Sequence, residues 1–223
     1  MRMRKKKYLS ERLGAVKDIL FVCMSEDRNF NNFEENADFL DLDQWFGRKA
    51  PLYLEIGCGK GKFAVEYAKA HPEINLIAVE KDSNVIVAAC EAAKDAGLKN
   101  LKFIQGSAEY LLRYLKRESV ERLFLNFSCP YPKNTYASHR LTHSGFLERY
   151  KILLSKGAEI HQKTDNMHFF EFSIEQFSQN GYAIKNLTFD LHNSGFEGNI
   201  VTEYEQKFLD LGQPIYRLEA YLR

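Results

Sequence analysis

The 223-residue chain has no CxxC pair, no long apolar run and almost no net charge. Its four cysteines, Cys23, Cys58, Cys90 and Cys129, are scattered, which indicates neither a zinc site nor a disulfide framework and leaves reduced thiols as the expectation. No stretch approaches the roughly eighteen apolar residues of a membrane span, and the start lacks the apolar core of a signal peptide, so a cytoplasmic protein with no membrane partner is expected. A net charge of +1 argues against a strongly basic nucleic-acid binder, and there are no repeats or low-complexity tracts. What is there, 45% hydrophobic and 27% charged residues, fits a soluble α/β domain.

Charge distribution says more than its sum. Arg2, Arg4, Lys5, Lys6 and Lys7 form a basic arm, and Glu26, Asp27, Glu34, Glu35, Asp38, Asp41 and Asp43 make the next stretch acidic. Such an arm can neutralise phosphates and release counterions, or can be a solvated tail. Residues 1–50 are therefore read as arm and acidic variable segment, and residues 51–223 as one domain.

The segment LYLEIGCGKG, Leu52 to Gly61, is an apolar strand running into a glycine turn, with a helical pattern from Lys62 to Ala70. Glycines allow a sharp turn and close backbone approach to a ligand, while a helix N-terminus offers unpaired amides. A second strand, Ile74 to Val79, ends on Glu80, where nucleotide-binding folds place an acid for ribose hydroxyls. Gly57, Gly59 and Gly61 alternate instead of following the dinucleotide pattern GxGxxG, and Glu55 lies in the strand just before them. This arrangement resembles the first motif of S-adenosylmethionine-dependent methyltransferases, which places Glu55 and Glu80 beside that cofactor. The alternative is a tight turn whose glycines only permit packing.

Beyond it the pattern predicts helices over Ser83 to Ala96, Ala108 to Lys116, Leu141 to Leu154 and Met167 to Gln179, and strands over Leu101 to Gln105, Glu121 to Phe127, Ala158 to Lys163, Tyr182 to Leu191 and Ile215 to Leu222. Repeated strand-helix units imply a mostly parallel sheet with an antiparallel element at its end. Ligands of open sheets bind beyond the carboxyl ends of the strands, and there the sequence reads LNFSCPYPKN. Pro130 and Pro132 stiffen that loop around Tyr131 and Lys133, a flat face beside a cation, suited to a base and its phosphate or to a rigid turn alone.

Together with EIGCGKG, the segments LNFSCPYPK, RLTH, IHQKTDN, DLHNSGFEGN and TEYEQKFLDLGQPIYRLEA resemble the bacterial tRNA (guanine-N7-)-methyltransferase family over nearly the whole chain. The resemblance implies a seven-stranded Rossmann-like class I methyltransferase fold with helices on both sheet faces, S-adenosylmethionine as cofactor and tRNA as partner. It also implies methylation of the guanine at position 46 in the tRNA variable loop. The chain would act as a monomer or homodimer. The cofactor side would use Glu55, Gly57, Gly59, Gly61, Glu80, Ser107 and Cys129, and the tRNA side Lys133, Asp165, Thr202 and Glu205.

Two of these positions depart from the family. Ser107 in QGSAEY replaces an acid, and Cys129, at the catalytic position, replaces the aspartate of the PDPWPK motif, with Tyr131 in place of its tryptophan. The basic run that follows is thinned to NTYASHR, leaving His139 and Arg140 beside Lys133. Guanine N7 carries a lone pair and no proton, so the reaction needs no general base; the missing acids would slow it, leaving a weakly active or non-catalytic binder of tRNA or cofactor as the alternative function. As a nucleophile Cys129 would instead need His139 or His143 as its base. Three roles have simpler readings: His161 as a packed strand residue, Asp165 as a helix cap, and Thr202 with Glu205 as the capping box of a helix over Tyr204 to Leu211.

Overall fold

The computed structural model describes residues 7–23 and 37–223. Arg2, Arg4, Lys5, Lys6, Glu26, Asp27, Glu34 and Glu35 lie outside the described residues. The chain divides into two compact units, residues 1–116 and 117–223.

The first unit carries strands β1 (Leu20–Val22), β2 (Leu52–Ile56), β3 (Asn75–Glu80) and β4 (Leu101–Gln105), paired in the order β1-β4-β3-β2 and all parallel. Every residue of β3 from Asn75 to Val79 is buried, as expected for a strand covered on both faces, and its apolar run Leu76 to Val79 follows from that. Helix α3 (Lys62–Ala70) and helix α4 (Ser83–Asp95) follow β2 and β3. Asp82 caps α4 by accepting from the Asn84 amide at 2.8 Å, and Gly97, at φ +67°, closes it.

Among the described residues, three elements precede Pro51, where the sequence pattern predicts none: helix α1 (Leu9–Ala15), β1 and helix α2 (Leu42–Phe46). Their periodicity is too short to register, and long-range contacts define them. Arg12 on α1 grips Glu91 on α4 with Nε at 2.7 Å and Nη2 at 2.5 Å, while β1 completes a ladder with β4. The helix expected from Ala108 to Lys116 is a 3₁₀ turn, Ala108–Tyr110, passing into helix α5 (Leu111–Tyr114).

The second unit pairs β5 (Val120–Asn126), β6 (Leu154–Thr164), β7 (Tyr182–Thr188) and β8 (Tyr216–Leu222) in the order β5-β6-β8-β7. β5 and β6 are parallel, and β8 runs antiparallel to both β6 and β7. The described residues thus hold eight strands, four per unit, one more than the resemblance implies; the additional strand is the three-residue β1. Helices α6 (Ser144–Leu153), α7 (Met167–Gln179) and α8 (Glu203–Asp210) belong to this unit. Its core is built by Leu123, Leu125, Ile160, Phe170, Phe177 and Leu218, all essentially buried.

The β6, β7 and β8 strands also carry an ion network. Glu159 accepts from His161 at 2.8 Å and from Lys185, and Arg217 meets Glu219 at 2.5 Å. Burial alone would raise Glu159, but the Lys185 and His161 hydrogen bonds outweigh it and hold the carboxyl at about 2. Burial pushes the His161 imidazole down to about 4 against the pull of Glu159 and Glu219. An unfolded chain takes up the His161 proton near pH 6.5, which the folded chain refuses until about 4, so stability falls as pH drops across that window. The Glu159 contribution is complete above about pH 4.5 and is lost as pH falls toward 2. Urea midpoints measured from pH 7 to 3 should therefore decline, and His161→Gln should flatten the decline above pH 4; a variant with the wild-type profile would contradict this assignment.

Candidate active site

Glu80 stands at the end of β3, where the chain turns outward. Its carboxylate accepts from three backbone amides: Lys81 at 2.8 Å, Asp82 at 3.0 Å and, across the glycine turn, Gly59 at 3.3 Å. The turn is fixed from below, since Gly57 and Cys58 donate their amides to the Val79 carbonyl at 2.8 and 3.0 Å. Glu55, 2% exposed, is the last residue but one of β2. Burial raises the Cys58 thiol far above its usual value, and the charges of Glu55 and Glu80 push it further, so both carboxylates act on this one turn.

The three glycines divide their work. Gly59, at φ +57°, has open space where a Cβ would stand, so its left-handed backbone is what demands glycine. A Cβ on Gly61 would approach Ala89 Cβ to 2.6 Å, so this residue lets α3 pack on α4. Gly61 is also the N-cap of α3 and brings no side chain to the helix amides. Open space beside a left-handed turn, an uncapped helix start and two carboxylates fit a small cationic nucleoside such as S-adenosylmethionine. Ser107 caps the 3₁₀ turn after β4, accepting from the Glu109 amide at 3.5 Å, and its Oγ lies 3.4 Å from the Glu109 carboxylate. Glu109 went unnoticed in the sequence, although it stands two residues beyond the position where the acid is missing.

The second unit gathers the remaining candidates. Phe127, at φ +51°, leads out of β5 and is held by its amide on the Lys163 carbonyl at 2.8 Å. In the loop that follows, Cys129, Pro132 and Lys133 are exposed and Ser128, Pro130 and Tyr131 half-buried. Arg140, expected beside Lys133 as a surface cation, is instead 8% exposed. Its Nε donates to the Pro130 carbonyl at 3.0 Å, its Nη2 to the Tyr131 carbonyl at 3.0 Å, and its guanidinium lies 4.4 Å from the Phe172 ring centroid. It fastens the proline loop to α7. Neither histidine is arranged to serve the Cys129 thiol: the His143 Nδ1 accepts from the Gly145 amide as the cap of α6, and His139 packs against tyrosine rings.

Asp165 follows β6 directly. The cap of α7 is Asn166, which accepts from the Phe169 amide at 2.9 Å, so the Asp165 carboxylate is not consumed by the helix. Burial raises its pKa above the ordinary aspartate value. Pro132 and Asn134, which flank Lys133, and Asn166, which follows Asp165, line one cavity of about 300 Å³ together with Pro130, Arg140, His168 and Phe169.

Thr202 and Glu205 form the capping box of α8: Glu205 N donates to Thr202 Oγ1 at 2.9 Å and Thr202 N to Glu205 Oε2 at 3.3 Å. Glu205 is fully buried, and Lys163 reaches it at 2.8 Å while also donating to Asn199 Oδ1 at 3.0 Å and the Ile200 carbonyl at 2.9 Å. Lys163 escaped the sequence reading. A lysine ending a buried strand is the signal that would have found it.

A family model described as "Putative methyltransferase" matches residues 49–218. A tRNA (guanine-N(7)-)-methyltransferase of Halalkalibacterium halodurans is 50% identical over 178 residues, 80% of this chain and 81% of that one. The enzyme of the same name from Bacillus cytotoxicus is 41% identical over 223 residues, 100% of this chain and 98% of its own length. The chain belongs to the tRNA (guanine-N(7)-)-methyltransferase family. Among solved structures, the 16S rRNA methyltransferase KamB superposes with a TM-score of 0.60 at 16% identity, covering 82% of this chain and 93% of that one, which places the fold among the class I methyltransferases. The family assignment agrees with parallel strands β2 and β3 that carry Glu55 and Glu80 at or next to their last residues, and no described helix is long and apolar enough to cross a membrane.

Proposed function

We propose that this chain transfers the methyl group of S-adenosylmethionine to N7 of a guanine in tRNA, the guanine at position 46 of the variable loop. The observation that carries this reading is Asp165, a partly buried carboxylate next in the chain to Asn166, which lines the cavity and caps α7 in its place. The cofactor supplies an electrophilic methyl on a sulfonium. Guanine N7 would attack that methyl with its own lone pair while the S–CH3 electron pair returns to sulfur, releasing the neutral thioether; no residue has to remove a proton, and the positive charge passes to the base. Asp165 accepts from the N–H donors of the guanine edge and stabilises that positive charge. Lys133 meets phosphate.

On the cofactor side Glu80 takes the ribose hydroxyls, with its carboxylate already oriented by three amides. Glu55 faces the cationic end of the cofactor, and Gly57, Gly59 and Gly61 shape the turn around it. Glu109, held near Ser107, returns a negative charge next to the position that has lost one. Thr202 and Glu205 act at one remove, fixing the loop before α8. Cys129 fills the place of an aspartate; its thiol cannot orient a donor as a carboxylate does, which favours modest turnover and, in the extreme, a tRNA-binding homologue without catalysis.

Incubation with labelled cofactor and unmodified tRNA, followed by mapping of 7-methylguanosine, tests this reading. The expected product is one 7-methylguanosine in the variable loop. Asp165→Asn should lower kcat/KM by about a hundredfold or more and remove an acid limb lying above the usual aspartate range, since only the ionised carboxylate serves. Glu80→Gln should instead weaken cofactor binding about tenfold or more. Binding of both substrates with no methylation at enzyme excess would favour the non-catalytic reading.

A further inference from the structure

After Lys133 the chain forms a six-residue 3₁₀ helix, Asn134–His139, which the sequence pattern shows only as a depleted basic run. Three residues per turn place positions i, i+3 and i+6 on one face. Lys133, Tyr136 and His139 have that spacing, and all three are exposed, Tyr136 at 49%. The Tyr136 and His139 ring centroids lie 6.1 Å apart at 33°, and the His139 and Tyr131 centroids 5.6 Å apart at 45°. The face is therefore a cation followed by two exposed rings, with the half-buried Tyr131 ring next to His139. Its base is fixed, since Arg140 holds the carbonyls of Pro130 and Tyr131 and the Tyr136 amide donates to the Lys133 carbonyl at 3.0 Å.

Exposed rings at fixed spacing beside a lysine match the elements that bind single-stranded nucleic acid, in which rings stack on bases and the cation meets the backbone. Exposed apolar area on a short, pinned helix has no use in packing. A row of phosphates alone would call for more cations than the single lysine found here. Building on the methyltransferase reading, we propose that Tyr136 and His139, with Tyr131, form a stacking platform for an unpaired nucleotide of the tRNA flanking the methylated guanine, with Lys133 on its phosphate. Recognition at this point thus rests on stacking more than on charge.

Affinity for an unmodified tRNA transcript, measured across a salt series alongside methylation by the wild type, tests the platform. Tyr136→Ala should weaken tRNA binding by about five- to a hundredfold, the range for one stacked base. The slope of log affinity against log salt should stay unchanged, because a neutral ring releases no counterion. Tyr136→Phe and Tyr136→Trp should bind as the wild type, whereas Lys133→Ala should reduce the slope by about one. Wild-type affinity in Tyr136→Ala, or equal loss in Tyr136→Phe and Tyr136→Ala, would overturn the platform while a methylating wild type keeps the enzymatic reading. A wild type that binds tRNA through Tyr136 without methylating it would overturn that reading and leave the platform standing.

Discussion

Two opposite charges shut away from water, Lys163 and Glu205, hold the ligand side of the second unit together. Glu205 is fully buried and the Lys163 side chain is 7% exposed, so each depends on the other and on the polar groups around them, His192 Nε2 among these at 3.2 Å from Glu205 Oε1. Lys163 satisfies three acceptors, and Glu205 takes Asn199 Nδ2 at 2.7 Å in addition to Lys163 and the Thr202 amide. The network ties the 199–202 segment and the start of α8 to the end of β6. Lys163 also anchors the backbone of Phe127, where the proline loop begins, and stands two residues before Asp165. One buried pair thus fixes the origins of the segments that carry Lys133, Asp165 and Thr202.

N7 methylation creates a cation on a base that arrives neutral, and it needs carboxylates in position more than a proton acceptor. Glu55, Glu80 and Asp165 sit at or just beyond strand ends, where backbone geometry places them without large loops. The two positions where the resemblance implies an acid, Ser107 and Cys129, have different surroundings. Glu109 stands beside Ser107, whereas Cys129 lies in an exposed loop stiffened by prolines and clamped by Arg140. After Lys133 the chain presents Tyr136 and His139, exposed rings in contact with each other.

Elements governed by local pattern were legible in the sequence. Helix α7 occupies the expected Met167–Gln179, α3 the expected Lys62–Ala70, and His161 is the hydrogen-bonded strand residue that alternation suggests. The Thr202 and Glu205 capping box could be read from spacing because both partners lie within one turn. Its buried counter-ion could not, because Lys163 is forty-two residues away and only the folded chain joins them. Arg140 misled for a similar reason: its sequence neighbours are polar, but carbonyls from Pro130 and Tyr131 and the Phe172 ring give it an interior site. The helix Asn134–His139 was missed because 3₁₀ segments leave no 3.6-residue period.

The most direct measurement is a double-mutant cycle on the buried pair, reading urea unfolding together with tRNA and S-adenosylmethionine affinity. Lys163→Met alone should cost about 3–5 kcal/mol, because it strands a buried carboxylate, and the double variant Lys163→Met/Glu205→Gln should recover much of that loss. The single variant should also weaken tRNA binding while cofactor affinity stays at the wild-type value. Additive losses in the double variant, or a Lys163→Met protein with undiminished stability and tRNA affinity, would contradict the account.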